Sequence, residues 1–460
     1  MMSGRKRPGP KPPAPTAQYI LGISSSEDGS AAAMLRDGKV IFSALEPPPA
    51  YFPVEAVRAA LEKASEQEGA IVGVSDLAAV AFCGKPLREF ARLDTEWRAG
   101  APGTYPYFMR TAPAAFAKRR LGLGRLESRL ASASWGEKPR QLLYPEHQLS
   151  CAASAFFQSP FEDSAILVLD GPGDGAAASV ALGSGEKVKL IRELADTDSP
   201  QAFSGALAAY AGFPGESSWE LFTVPPAADR KRSEDIYYRM ISKLAELKED
   251  GSLRLFPEYF SYRNGMAPVL SAWEKLFGIA PRGGSPLEGP FLDFAAAARE
   301  ALEELMLRLG THAKKFTFSN NLCLSAPVEL KLAAEGKLKD AGLFVNIWSQ
   351  PYSAPESKAA GAALAARHVH FGVKRVFSAG SWTRPPEPEA PEEQENPVTL
   401  AGSGGISGRG RLALALRYWL FLAPASAFSR PRVKRPLAGG RSFYMLRSRL
   451  YSADDLGGPA

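Results

Sequence analysis

Twice along the chain an apolar run ends in a turn of small and acidic residues and is answered by a second apolar run. Between 18 and 46 the stretches YILGISSS, GSAAAMLR and KVIFSALE read as three strands, separated by a small-residue turn and by a D-G turn at 37–38. Residues 165–183, AILVLDGPGDGAAASVALG, repeat the device: a continuous apolar strand ending at Asp170, a glycine-rich turn, and a second strand from Ala176. Helical periodicity follows both, at 54–65 and 202–213, then at 232–248, 290–310 and the small-residue stretch 357–369. Further strands are expected at 77–82, 321–328 and 343–351, and helices over 86–140. Two halves, each opening with hairpins and continuing into helices, predict an α/β protein with a duplicated core of mixed sheets flanked by helices.

Charge divides the 460-residue chain into unequal parts. Residues 1–17 carry four basic residues and no acid, and 399–460 carry ten against Asp454 and Asp455. The remainder, 18–398, is net −6 although the whole chain is +6, so nothing in the body speaks for a nucleic-acid partner. The organisation expected is a disordered basic, proline-rich tail at 1–17, a main domain at 18–383, an acidic proline-rich linker at 384–398, and a short basic and apolar segment at 399–460. Three dispersed cysteines, Cys83, Cys151 and Cys323, and no apolar leader fit a reducing cytoplasm. The stretch 408–450 is too interrupted to span a bilayer; its arginines and aromatics fit either peripheral contact with an anionic membrane or a helix packed on the core with a solvated tail.

One short stretch concentrates chemistry. PEHQLSCAASAFFQSPF (145–161) sets one of four histidines, His147, one helical turn from Cys151. That spacing suits half of a metal site, or a small buried cysteine on a helix face.

In order over roughly 18–370, the landmarks ILGIS…SAAAMLRDGKV, AVAFCGKPLREFARL, EHQLSCAASAFFQSPFEDSAILVLDGPGD, AYAGF, LCLSAPVELKLAAEGKL, IWSQP and AAGAALAA resemble the N-terminal domain of the NodU/CmcH-type O-carbamoyltransferases. The resemblance implies a duplicated ASKHA (actin/Hsp70-like) core. It also implies a divalent metal such as Fe²⁺, with ATP and carbamoyl phosphate combining to a carbamoyl-adenylate whose carbamoyl group passes to a small-molecule acceptor hydroxyl in secondary metabolism. The family's larger C-terminal domain has no counterpart in the sixty or so residues after the linker.

Carried over by position, the metal set is His147, Cys151 (where the family has a second histidine) and Asp174. His147 and Asp170 are the catalytic candidates, Asp170 facing phosphate or metal-bound water. The turn holding both aspartates also reads as an ordinary D-G hairpin. Ser325 and Lys331 are the cofactor-binding candidates, but the turn they flank departs from the family. It has Ala326 and Pro327 where glycines let phosphate approach the backbone, and Glu329 adds a negative charge; Lys331 offers compensation or is simply solvated. A later metal carboxylate falls on Pro355, with Glu356 one residue off, in Ala354-Pro355-Glu356-Ser357-Lys358. Family words near Asp28, at 46–51 and at 218–227 are replaced too.

Two functional readings follow. One is a carbamoyltransferase with a degraded nucleotide and metal site. The other is a non-catalytic pseudoenzyme, with or without a cofactor, that serves as a binding or scaffold partner for a protein such as an active paralogue or for an acceptor metabolite.

Overall fold

The computed structural model describes residues 17–26, 29–47, 52–85, 109, 128–134, 136–171, 173–261, 267–349 and 354–375. All lie in the first of two units of the chain, residues 1–395, the second being 396–460. The expected tail at 1–16, most of the helices read over 86–140, the linker, the C-terminal segment and its membrane contact through 408–450 fall outside the described residues.

The first half opens with β1 (Tyr19–Ser26), β2 (Gly29–Arg36) and β3 (Lys39–Glu46), then α1 (Val54–Glu68), β4 (Ala79–Phe82), β5 (Leu142–Leu143) and α2 (His147–Phe157). The second opens with β6 (Asp163–Val168), β7 (Ala176–Ser184) and β8 (Lys187–Ala195), then α3 (Pro200–Tyr210) and α4 (Arg230–Arg239). Short strands β9 (Ala245–Leu247), β10 (Leu253–Leu255), β11 (Phe260–Ser261) and β12 (Ala267–Pro268) and helix α5 (Leu270–Phe277) follow. It closes with α6 (Pro290–Thr317), β13 (Asn321–Ser325), α7 (Val328–Asp340), β14 (Asn346–Ser349) and α8 (Ala354–Leu364).

Each half builds one five-stranded sheet, ordered β3-β2-β1-β4-β5 and β8-β7-β6-β13-β14. In both, three antiparallel strands form a meander and two parallel strands extend its first member. The same order and the same senses, reached twice, make this the duplicated ASKHA architecture. Strand ends differ by up to three residues from the sequence expectation, and β6 stops at Val168, leaving Asp170 in the turn. The helix expected over 232–248 is shorter: α4 relaxes into a wider turn at 240–244 and gives way to β9, which pairs with β10.

The closing helix of each half packs on the other half's sheet. α8 lies on β1 and β2, while α2 lies on β6 and β13. Their contact explains the small-residue composition of both. A Cβ on Gly361 of α8 would overlap the Ser150 carbonyl of α2, and one on Gly22 of β1 would overlap the Ala359 carbonyl. Cys151, Ala152, Ala153, Ala155 and Phe156 are wholly buried in the cluster around this crossing, with Ala362, Ala363 and Cys323. The larger apolar cluster gathers around α6, whose Phe294, Leu302 and Leu305 meet Phe203, Tyr210 and Trp273. Among the described residues no helix is long and apolar enough to cross a membrane.

Candidate functional site

The carboxyl ends of β4, β6 and β13 and the start of α2 meet at one place, and the sequence-derived candidates gather there. The turn after β6 runs from Asp170 to Gly175 with Gly171 and Gly175 at positive φ, and Asp174 adopts φ 57° despite its side chain. The buried Asp174 carboxylate accepts from the His147 amide at 2.7 Å and from the Lys85 amide at 2.8 Å. It therefore caps the first turn of α2, where the helix dipole favours negative charge, and ties that helix to the loop after β4. Lys85 also pairs with Glu146, the residue before α2, at 2.8 Å.

His147 is the centre of the cluster. Its Nδ1 lies 3.9 Å from Cys83 Sγ and its Nε2 3.8 Å from Cys151 Sγ. Gly173 lies so close to the ring that a Cβ there would overlap it, and Gly171 stands equally close to Gln201. The turn's glycines are thus taken up by contact with the protein's own side chains. Burial, and after it the positive charge of Lys358, holds the His147 imidazole down to about 3, while a hydrogen bond with the Asp170 backbone pulls the other way. The ring is neutral throughout the physiological range. Burial pushes the Cys83 thiol up to about 12, and burial with the nearby Asp170 charge keeps Cys151 well above the ordinary thiol range.

Asp170 is joined by the other pair of candidates. Ser325, at the end of β13, donates its hydroxyl to the Asp170 carboxylate. Lys331, one turn into α7, is half-buried; desolvation lowers its ammonium's affinity for a proton and the charge of Asp170 opposes that. The lysine that the sequence allowed to be simply solvated is partly buried, and the Asp170 charge acts on it. Glu329 sits differently from the expectation that it crowds phosphate: its buried carboxylate accepts from Ser204 at 2.8 Å and Ser218 at 2.9 Å, towards α3. Pro327 occupies the N-cap of α7, so that helix begins without a side-chain cap.

The first turn of α8 completes the surroundings. Ser24 donates to the Pro355 carbonyl at 2.6 Å, and Ser43 of β3 donates to Glu356 at 3.1 Å, so Glu356 faces the first sheet and not His147. Lys358 is buried, and its charge acts on His147, Cys83 and Cys151.

These donors do not suit a divalent metal. The two ring nitrogens of His147 face different sulfurs, the two oxygens of Asp174 face backbone amides, and position 355 is proline. Among the described residues no group of three or more His, Cys, Asp and Glu converges to hold a metal. The expected set of His147, Cys151 and Asp174 comes together as neighbours but not as ligands to one point. A glycine cradle for nucleotide phosphate is likewise replaced by Ser325, Ala326 and Pro327, with the Ser325 hydroxyl bound to Asp170.

Sequence reasoning missed Cys83, Lys85 and Lys358. Cys83 carries a local signal, a lone polarizable residue at the end of a buried strand beside a glycine. Lys358 carries one as well, the sole charge among the small residues SKAAGAALAA.

The family described as carbamoyltransferase N-terminus matches residues 105–364, a range that contains all six candidate residues. An uncharacterized protein of Synechocystis sp. is 32% identical over 384 residues, covering 80% of this chain and 60% of that protein. The nodulation protein NolNO of Sinorhizobium fredii is 29% identical over 226 residues, 49% of this chain and 31% of its own length. The chain thus spans 31–60% of the length of the curated relatives it matches. Full-length HypF in its phosphate- and nucleotide-bound form aligns over 76% of this chain and 55% of that chain at 11% identity, TM-score 0.42, too distant to bear on the site.

Proposed function

Because this chain belongs to the carbamoyltransferase family through its N-terminal domain, we propose that the residue cluster at the ends of β6 and β13 binds an activated carbamoyl donor and passes its carbamoyl group to an acceptor hydroxyl. The observation that carries the reading is the convergence of His147, Asp170, Ser325 and Lys331 within the matched segment. In the step, the acceptor oxygen forms a bond to the carbamoyl carbon, the bond from that carbon to the phosphate oxygen breaks, and the phosphate leaves with the electron pair. Asp170 takes the hydroxyl proton, Ser325 fixes the carboxylate's direction, and Lys331 balances charge on the departing phosphate. His147, being neutral, orients by hydrogen bonding without adding charge. Adenylation of the donor by ATP, as the resemblance implies, is a separate arm of the test.

The test is release of inorganic phosphate from carbamoyl phosphate by the full chain, with water or glycerol as acceptor, with and without ATP. The reading expects release above the buffer blank that falls at least about 100-fold in Asp170→Asn, the range of a lost general base. Neither release nor calorimetric binding of carbamoyl phosphate, in either arm, refutes it and leaves the scaffold reading.

A further inference from the structure

A groove runs along the last two turns of α1, far from the candidate site in sequence. The helix ends at Gly69, whose φ of 66° turns the backbone back on itself. Ser65 fixes the returning segment: its hydroxyl donates to the Leu61 carbonyl at 2.8 Å and accepts from the Val72 amide at 2.9 Å. Between helix and returning segment lies a groove of about 570 Å³ lined by Leu61, Glu62, Ser65, Glu66, Ala70 and Ile71. Leu61 is 1% exposed, whereas Ile71 on the loop side is 75% exposed. The helix side offers two exposed carboxylates, Glu62 and Glu66. Glu66 pairs with Lys63 at 3.0 Å, an exposed pair weak enough to exchange for another cation.

The first described residues lie at the same end of the helix. Ala17 packs on the cluster that contains Leu61, Ala64 and Val72. Tyr19 donates its hydroxyl to Glu68 at 2.8 Å, and its carbonyl accepts from the Ala78 amide at 2.8 Å. Sixteen residues precede Ala17, and they include Arg5, Lys6, Arg7 and Lys11 but no acid. Lys11 stands six positions before Ala17, a reach of up to about 20 Å of extended chain. Glu62 lies only about 9 Å from Glu68 along the helix axis. Between Lys11 and Ala17 come Pro12, Pro13, Ala14 and Pro15, which are apolar and have little conformational freedom to lose on docking. We propose that this amino-terminal tail docks in the α1 groove of its own chain, Lys11 on Glu62 and Glu66, and the prolines against Leu61, Ala70 and Ile71.

Two measurements on the full chain test the docking. Carbodiimide joins an amine to a carboxylate only where the two touch, and an equal mixture of ¹⁴N- and ¹⁵N-labelled protein separates links within a chain from links between chains. Mass spectrometry should find Lys11 joined to Glu62 or Glu66 within single chains. Hydrogen exchange then reads the groove itself. The Val72 amide should exchange about fivefold faster when Arg5, Lys6, Arg7 and Lys11 are all replaced by glutamine, the size expected for two exposed ion pairs. Links mainly between differently labelled chains would make the occupant the tail of a second copy and overturn the proposal. Lys11 joined chiefly to carboxylates outside the groove, or to none, overturns it as well. So does a Val72 amide that exchanges equally fast in the two proteins.

Discussion

Lowering the pH should destabilise this protein through His147 in a way that one substitution removes. The imidazole is held down to about 3 in the folded chain, against an ordinary value of 6.5. The unfolded chain therefore binds a proton that the folded chain refuses. Stability from this group is unaffected above the ordinary value and declines as pH falls below it, until the folded value is reached. Taking those two values, the decline between about pH 7 and about pH 5 amounts to about 2 kcal/mol, at 1.36 kcal/mol for each pH unit of one proton. Urea unfolding of wild type and His147→Gln at both pH values isolates the effect, because losses from all other groups are common to both. Wild type should lose about 2 kcal/mol more than the variant over that interval. Histidine Cε1 resonances give a direct check in a chain with four histidines, the His147 signal being expected not to titrate above about pH 5. Parallel losses in the two proteins, or a His147 signal titrating near its ordinary value, would refute the claim that the ring is desolvated and set against the Lys358 charge.

Gly361→Ala should lower the melting temperature sharply or prevent folding, because its methyl meets the Ser150 carbonyl across the α2–α8 contact. Gly205→Ala, inside α3 with open space around it, should stabilise by about 0.5–1 kcal/mol. Gly173→Ala drives a methyl into the His147 ring and should cost about 1–3 kcal/mol by denaturant titration, with weaker carbamoyl phosphate binding if the reading above holds. Iodoacetamide at neutral pH should label the buried Cys151 and Cys323 only on unfolding, since burial raises both thiols; rapid labelling of either in the native chain, located by mass spectrometry, would contradict that.

The backbone plan and the place of the site are legible in local sequence. Alternation, the turns at 37–38 and 170–175 and the small residues of 357–369 act over a few positions, so they announce two meanders and a close-packed helix without any tertiary knowledge. The family pattern over EHQLSC and DGPGD likewise marks where the candidate residues gather. What each side chain does there was decided only by contacts between distant segments. Asp174 is spent on amides 89 and 27 positions away, Glu329 on hydroxyls 125 and 111 away, and Ser24 fixes the first turn of α8 from 331 away. Whether a carboxylate faces a ligand, an amide or a hydroxyl depends on how two sheets and their crossed helices meet, and the Lys358 charge acts on His147 for that reason alone. The same packing sets His147 and Cys151, one helical turn apart in sequence, side by side, with the ring Nε2 3.8 Å from the Cys151 sulfur.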